Sequence, residues 1–416
     1  MTSGKKFGNT TTQKVEWLAP HRQIFIEKLK AQGYVLCSIR HYDRIVRRFC
    51  EEIEQRGLSA KDLDGSALEA IHEAVLSKTG KSIHTYTMFC LKRFINHLID
   101  TGIVVLPEPQ AKELTAMDHL REDYETYLRK QRGLSESTIY HCMRFLERFM
   151  SFRFGDVLGD LNSITAADVV SFLCQRMAGS QPYRDKTPPT HLRNLFKFLF
   201  WSGKTKRNLA QSIPRVAQPK HDNLPRYLKP EEVQQLLEAV RTNDAIGRRN
   251  YAMLLLLARL GLRAPEVIAI QLDDIDWRSG EILIRGKGKL HDRMPLVTDV
   301  GEAIVDYITD GRVGTSRTLF VTSKAPYHPF KDAQILNYIL KKALVKTKIK
   351  PPQKYIGSHI LRHSLATDML RQGATLGEIG IILRHRSRMT TTIYAKHDID
   401  SLRAIAQTWP KQGGAQ

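Results

Sequence analysis

A pattern of residues near the start of the chain returns about one hundred positions later, and that return dictates most of what the first half can fold into. Gly33-Tyr34, Ser38-Ile39, Arg44, Arg48 and Phe49 come back as Gly133-Leu134, Thr138-Ile139, Arg144, Arg148 and Phe149. Each copy closes on a second matched stretch, Leu91-Lys92-Arg93 with Leu98 and Gly102, then Leu192-Arg193 with Leu199 and Gly203, now offset by 101. Apolar residues spaced by three and four turn one helix face toward a core, and a glycine just past the last of them suits a left-handed cap. Residues 20–105 and 119–205 therefore read as two copies of one helical unit. The competing explanation is coincidence, because helical bundles resemble one another by pattern alone.

Two proline-punctuated polar stretches read as linkers: Leu106-Pro107-Glu108-Pro109 between the copies, and residues 214–225 after the second. The expected division is a polar tail at 1–18, helical modules at 19–112 and 113–218, and a third domain at 219–416. That domain opens on Lys229-Pro230-Glu231-Glu232, a proline and acids suited to a helix's first turn. An apolar helix follows and stops at Gly261. Residues 281–284 and 294–297 then read as a β-hairpin or small sheet around Gly286-Lys287-Gly288-Lys289. Most of the remainder reads as helix, so the expected fold class is mainly α with a small β-sheet, and α+β in the third domain.

The chain carries 64 Lys and Arg against 43 Asp and Glu, a net charge of +21. Such an excess favours a polyanionic partner, most simply nucleic acid, over a merely solvated basic surface. The cysteines, Cys37, Cys50, Cys90, Cys142 and Cys174, are odd in number and never spaced C-x-x-C, which points to free thiols in a reducing cytoplasm and to no zinc site. Residues 1–14 lack a long apolar run, and the strongest such run, 252–262, is broken by Arg259, so neither a signal peptide nor a membrane span is expected. No GxxxxGK[ST] loop and no cluster of acids for a divalent metal stand out, and no cofactor is expected.

The third domain holds a set of groups suited to a phosphodiester. Arg263, between a helix ended by Gly261 and one begun at Pro265, can bind two phosphate oxygens at once; the alternative is an ion pair with Glu266. Lys287 sits between two glycines at the hairpin tip, where a lysine of depressed pKa can protonate a leaving oxygen; an ordinary turn lysine, with Lys289 as its competitor, is the other reading. His359 and Arg362 are three apart on one face of a helix for which Ser358 is a candidate N-cap, with His363 the alternative to His359. Thr375 and Glu378 form a capping box for a short helix that delivers Arg384, His385 and Arg386. Tyr394, nine residues after His385, supplies a phenol; most tyrosines are packers, and a phenol near pKa 10 attacks only with a base and cations nearby.

This ordered set resembles the tyrosine recombinase, or phage integrase, family. The matching segments are Gly261-Leu262-Arg263-Ala264-Pro265-Glu266; Gly286-Lys287-Gly288 with Arg293-Met294-Pro295-Leu296; His359-Ile360-Leu361-Arg362-His363-Ser364-Leu365-Ala366-Thr367; and Leu383-Arg384-His385 with Thr391-Thr392-Ile393-Tyr394. The separations also fit: 24 residues from Arg263 to Lys287 and 23 from Arg362 to His385. The likeness covers 226–397, extends less closely to 119–218 as a helical core-binding (SAM-like) domain, and leaves 1–112 as an additional module. Two departures stand out. Ala264-Pro265 replaces the usual small residue and serine, and Arg384 replaces the glycine usual before the histidine.

The resemblance implies a site-specific recombinase in which Tyr394 forms a 3′-phosphotyrosine. Arg263, Arg362 and His385 would hold the phosphate, Lys287 would protonate the leaving 5′ oxygen and His359 would assist proton transfer at Tyr394, without ATP or metal. It further implies double-stranded DNA as partner and a homo-tetramer on synapsed DNA, with related recombinases or accessory proteins as further partners. Candidate DNA contacts are Arg44, Arg48, Lys92, Arg93, Arg144, Arg148, Arg193, Lys204, Lys206, Arg207, Arg384 and Arg386. After Tyr394, Leu402, Ile405, Ala406 and Trp409 form an amphipathic tail of the kind that docks on a neighbouring protomer. The added module favours a mobile-element integrase or transposase. A chromosome-dimer resolver, a type IB topoisomerase-like enzyme and a silent DNA-binding regulator stay open as alternatives.

Overall fold

The computed structural model describes residues 17–77, 84–105, 113–177, 187–214, 227–286, 291–350 and 357–394. The chain is mainly α with a small antiparallel sheet, and its residues gather into two compact units. One is Pro107–Asp222; the other combines Met1–Leu106 with Asn223–Gln416.

In the larger unit, α1 (Ala19–Ala31), α2 (Leu36–Gln55), α3 (Gly65–Ser77) and α4 (His84–Asp100) surround a core of Phe25, Ile45, Val46, Phe49, Ile71, Leu91 and Phe94. The 107–222 unit repeats that order with α5 (Ala116–Thr126), α6 (Glu136–Phe154), α7 (Ala166–Met177) and α8 (Thr187–Trp201) around Leu128, Phe145, Leu146, Phe149, Phe172 and Phe196. The expected glycine caps are present in both: Gly102 and Gly203 have positive φ, which only glycine adopts without strain, and so do Gly33 and Gly133, which the sequence marked only as repeated positions. The N–H of Ile103 returns to the carbonyl of Leu98, and that of Lys204 to the carbonyl of Leu199, both at 2.9 Å. The spacing in the sequence is thus matched by the same chain reversal in each copy.

The C-terminal portion of the larger unit is built on α10 (Ala245–Arg259), in which every residue from Ala252 to Ala258 is buried. A helix apolar all round must be central, and α10 packs against α9 (Pro230–Val240), α11 (Ala264–Ala269), α12 (Thr298–Asp310), α13 (Gln334–Thr347) and α14 (His359–Arg371). The proline and acid at the start of α9 act as expected, with the Glu232 carboxylate accepting the Lys229 N–H at 2.8 Å.

Strands β1 (Ile275–Asp276), β2 (Glu281–Arg285) and β3 (His291–Pro295) form one antiparallel sheet in that order. Ile282 and Ile284 point inward and pair with Met294 and Asp292. The second strand starts three residues and ends two residues earlier than the expected 294–297. Pro295 has no N–H to continue the ladder, Leu296 bonds instead to the Gly280 carbonyl at 2.7 Å, and Val297 already caps α12. The short β1 gave too little alternation to be read in advance. The linkers, except for Pro214, and the tail from residue 395 fall outside the described residues, as do Lys287 and Lys289.

Candidate active site

Arg362 is the side chain around which the site is organised. It lies on α14, 3% exposed, and its two terminal nitrogens donate to the carbonyls of Gly261 and Leu383. The first carbonyl belongs to the turn that delivers Arg263, the second to the turn that delivers Arg384 and His385. One guanidinium therefore holds two separate loops in register. Gly261 permits this approach: its φ is +58°, and a Cβ there would lie 2.6 Å from the Leu383 side chain. A guanidinium carries five N–H groups, so three remain for a ligand. Burial first, then the nearby Arg263 and Arg384, lower the Arg362 pKa to about 10, which still leaves it charged at neutral pH.

Arg263 occupies the N-cap of α11, and Ala264-Pro265 do not disturb the helix start. Its backbone N–H donates to Glu266 Oε2 at 2.8 Å and its Nη1 to Oε1 at 2.7 Å, so the ion pair weighed from sequence exists. The Arg263 side chain is nevertheless 39% exposed.

Arg384 was expected to meet DNA backbone or solvent, and the structure corrects this. Its side chain is 8% exposed and its Nη2 pairs with Glu266 Oε2 at 2.7 Å, beside Met294 Sδ. Its φ of +52° explains why glycine suits this position and costs an L-residue about 1–2 kcal/mol.

His385 Nδ1 lies 2.8 Å from the hydroxyl of Thr391, a buried residue of the short helix α16 (Arg388–Thr391) that precedes Tyr394. Burial, followed by Arg362, Arg263, His363 and Arg384, lowers its pKa to about 4, so it is neutral at physiological pH. α15 (Leu376–Ile382) brings it there through the expected capping box, in which Glu378 Oε2 accepts the Thr375 N–H at 2.7 Å. Ser358, by contrast, makes no side-chain cap for α14; its N–H donates to Asn337 Oδ1 at 2.7 Å.

Tyr394 is 1% exposed and packs with Ala366, Ile379 and Leu383. Its hydroxyl lies 2.8 Å from Nδ1 of His363, and its ring stacks parallel to that of His385 at 6.4 Å. Burial raises the phenol to about 12 while Arg362 acts in the opposite direction. The histidine at the phenol is therefore His363, not His359. In an α-helix, four residues advance the face by slightly more than one turn, which carries His363 to the tyrosine and leaves His359 at the exposed mouth, its ring 6.3 Å from that of His363. Partial desolvation, then Arg362 and Arg263, lower the His359 pKa. The sequence offered both histidines; only the packing of α16 against α15 decides between them.

The candidate DNA contacts separate into two groups. Arg93 is tied internally to the Tyr34 hydroxyl and Gln32, Arg193 to the Pro214 carbonyl at 2.7 Å, and Lys204 to Asp123 at 2.8 Å. Arg44 and Arg48 on α2, and Arg144 and Arg148 on α6, have no acidic partner among the described residues, while Lys92, Lys206, Arg207 and Arg386 are exposed. Among the described residues no group of three or more His, Cys, Asp or Glu is placed to hold a metal, and no helix is long and apolar enough to cross a membrane.

Residues 226–400 match the phage integrase family. A putative integrase/recombinase of Sinorhizobium fredii, y4rA, is 37% identical over 389 residues, 93% of this chain and 93% of the relative. The tyrosine recombinase XerC of Anoxybacillus flavithermus is 31% identical over 67% of this chain and 93% of its own length. In fold, the chain is similar to the XerH site-specific recombinase bound to palindromic difH substrate in a post-cleavage complex, with TM-score 0.54 and 19% identity over 73% of this chain and 99% of that one. A lambda integrase (75–356) dimer bound to a COC′ core site gives TM-score 0.53 and 16% identity over 71% and 99%.

Proposed function

The chain belongs to the phage integrase family of tyrosine recombinases, and from that premise we propose that it cuts and rejoins double-stranded DNA through a 3′-phosphotyrosine at Tyr394. The observation that carries this reading is the phenol held on His363 within electrostatic reach of Arg362, in a site that also gathers Arg263 and His385.

In the cleavage step the Tyr394 oxygen attacks phosphorus as its proton passes to His363 Nδ1. The bond from phosphorus to the 5′ oxygen breaks, and Lys287 supplies the proton that oxygen needs. Arg263 and Arg362 hold the nonbridging oxygens, where the transition state gathers negative charge and fixed donors contribute most. With the Thr391 hydroxyl donating to Nδ1, neutral His385 keeps its Nε2 proton for the same oxygens. His359 belongs at the phosphate rather than at the phenol. The link conserves the phosphodiester's energy, so attack by another strand's 5′ hydroxyl rejoins DNA without ATP. Exchange between two duplexes breaks four strands and so employs four chains.

The two helical modules give the enzyme its grip on the duplex, chiefly through arginines at matched positions of α2 and α6 that have no acidic partner among the described residues. Desolvation, then Arg144 and Arg176, lower the Arg148 pKa, as expected where guanidiniums crowd an anion site. Replacing Arg44 and Arg48 together by Ala is expected to shorten the DNA protected from nuclease and to reduce the slope of log affinity against log salt by about 2. An unchanged footprint and slope would make residues 17–105 a protein-contact module.

A mobile-element integrase or transposase is the specific role we favour, because the added module fits recognition of element ends. The test is to trap adducts on sheared cellular DNA with detergent and sequence the attached fragments. Fragments sharing one sequence at element ends are the expected result. One shared locus per chromosome would indicate dimer resolution, and scattered sequences with relaxation of supercoiled plasmid would indicate a topoisomerase.

A further inference from the structure

Glu266 is buried, 5% exposed, and its carboxylate is the meeting point of two arginines. Oε1 takes Arg263 Nη1 and Oε2 takes both the Arg263 N–H and Arg384 Nη2, each within 2.8 Å. Burial alone would raise this carboxyl. The Arg263 backbone bond, the Arg384 charge and the Arg263 side chain outweigh it and hold Glu266 ionised, below its ordinary value. Arg263 alone against Glu266 sums to zero charge. With Arg384 added, the trio carries one net positive charge.

The backbone at residue 384 makes this arrangement notable. Its left-handed φ favours glycine, yet an arginine stands there, and its guanidinium turns inward rather than to solvent. From that position it touches two other walls of the site. Glu266 lies on α11, Met294 and Asp292 on β3, and His385 is its own chain neighbour; Asp292 Oδ2 is 3.9 Å from Nε.

We propose that Arg384 is a positioning residue for strand cleavage. It draws off the charge of Glu266 so that Arg263 meets the phosphate as a full cation, and it ties β3 to the turn that carries His385. The proposal rests on the strand-transfer reading above, and it concerns this chain's departure from the glycine usual at that position.

The test compares full-length variants by the rate at which each becomes covalently trapped on sheared cellular DNA, together with DNA affinity and thermal melting. Arg384→Gly relieves the backbone strain and removes the guanidinium. It is expected to melt near the wild type and bind DNA as tightly, while its trapping rate falls about tenfold or more. Arg384→Lys is expected to recover most of that rate. Adding Glu266→Gln to Arg384→Gly is also expected to recover it, because Gln keeps an acceptor for Arg263 and removes the charge that Arg384 offset. Trapping by Arg384→Gly at the wild-type rate would overturn the proposal. So would a loss that neither Lys nor the Glu266→Gln partner restores, since that pattern marks packing alone. A wild-type protein that forms no adduct would instead contradict the strand-transfer reading itself.

Discussion

Arg362→Lys is expected to lower covalent DNA capture by about a hundredfold or more, and Arg362→Ala to lose the stable fold as well. Both effects come from one geometry. The guanidinium is buried and satisfies the carbonyls of Gly261 and Leu383 at once. Removing it leaves two buried acceptors unpaired, each costing about 1–3 kcal/mol, out of a total stability of about 5–15 kcal/mol. The loops carrying Arg263 and His385 then lose their common anchor. Lysine keeps the charge but is a single point donor, so it can neither span both carbonyls nor offer a forked pair to phosphate. Thermal melting with a capture time course checks this. An Arg362→Ala protein that melts and captures like the wild type would show that the guanidinium anchors nothing.

Tyr394→Phe is expected to abolish capture while DNA affinity and fold survive. The ring, not the hydroxyl, fills the pocket of Ala366, Ile379 and Leu383, so phenylalanine keeps that packing. The single bond lost, to His363, is worth about 1 kcal/mol. Arg263, Arg362 and His385 remain to bind the phosphate, but nothing remains to attack it. Undiminished capture by the Phe variant on a denaturing gel would place the nucleophile elsewhere.

Much of this was legible in residues whose constraint is local. Proline and acid at the start of α9, the Thr375 and Glu378 box, and the glycines at 102 and 203 each act within a few residues of themselves, so the sequence carries them intact. The helical character of each module followed from apolar spacing for the same reason, while the count of four helices in each comes from the structure. What sequence could not rank were choices settled by distant contacts. His359 and His363 differ by about one helical turn, and α16 decides which meets the phenol. Arg384 looked like one of a basic run with Arg386; Glu266, more than a hundred residues earlier, pairs with it inside the site. Ser358 has the right residue type for a cap, but the Asn337 side chain holds its N–H and the backbone is already helical there. The second strand shifted because Pro295 ends its ladder, a competition between two readings of one proline.

The central claim is that a phenol becomes bonded to DNA, and mapping the bond tests it most directly. Wild-type protein is trapped on sheared cellular DNA with chelator present and no nucleotide, digested with nuclease and protease, and its peptides are weighed. The account predicts a residual nucleotide, joined through its 3′ phosphate, on the peptide that contains Tyr394. Its mass on a peptide lacking Tyr394, or a 5′ linkage, or no adduct under these conditions, would contradict it.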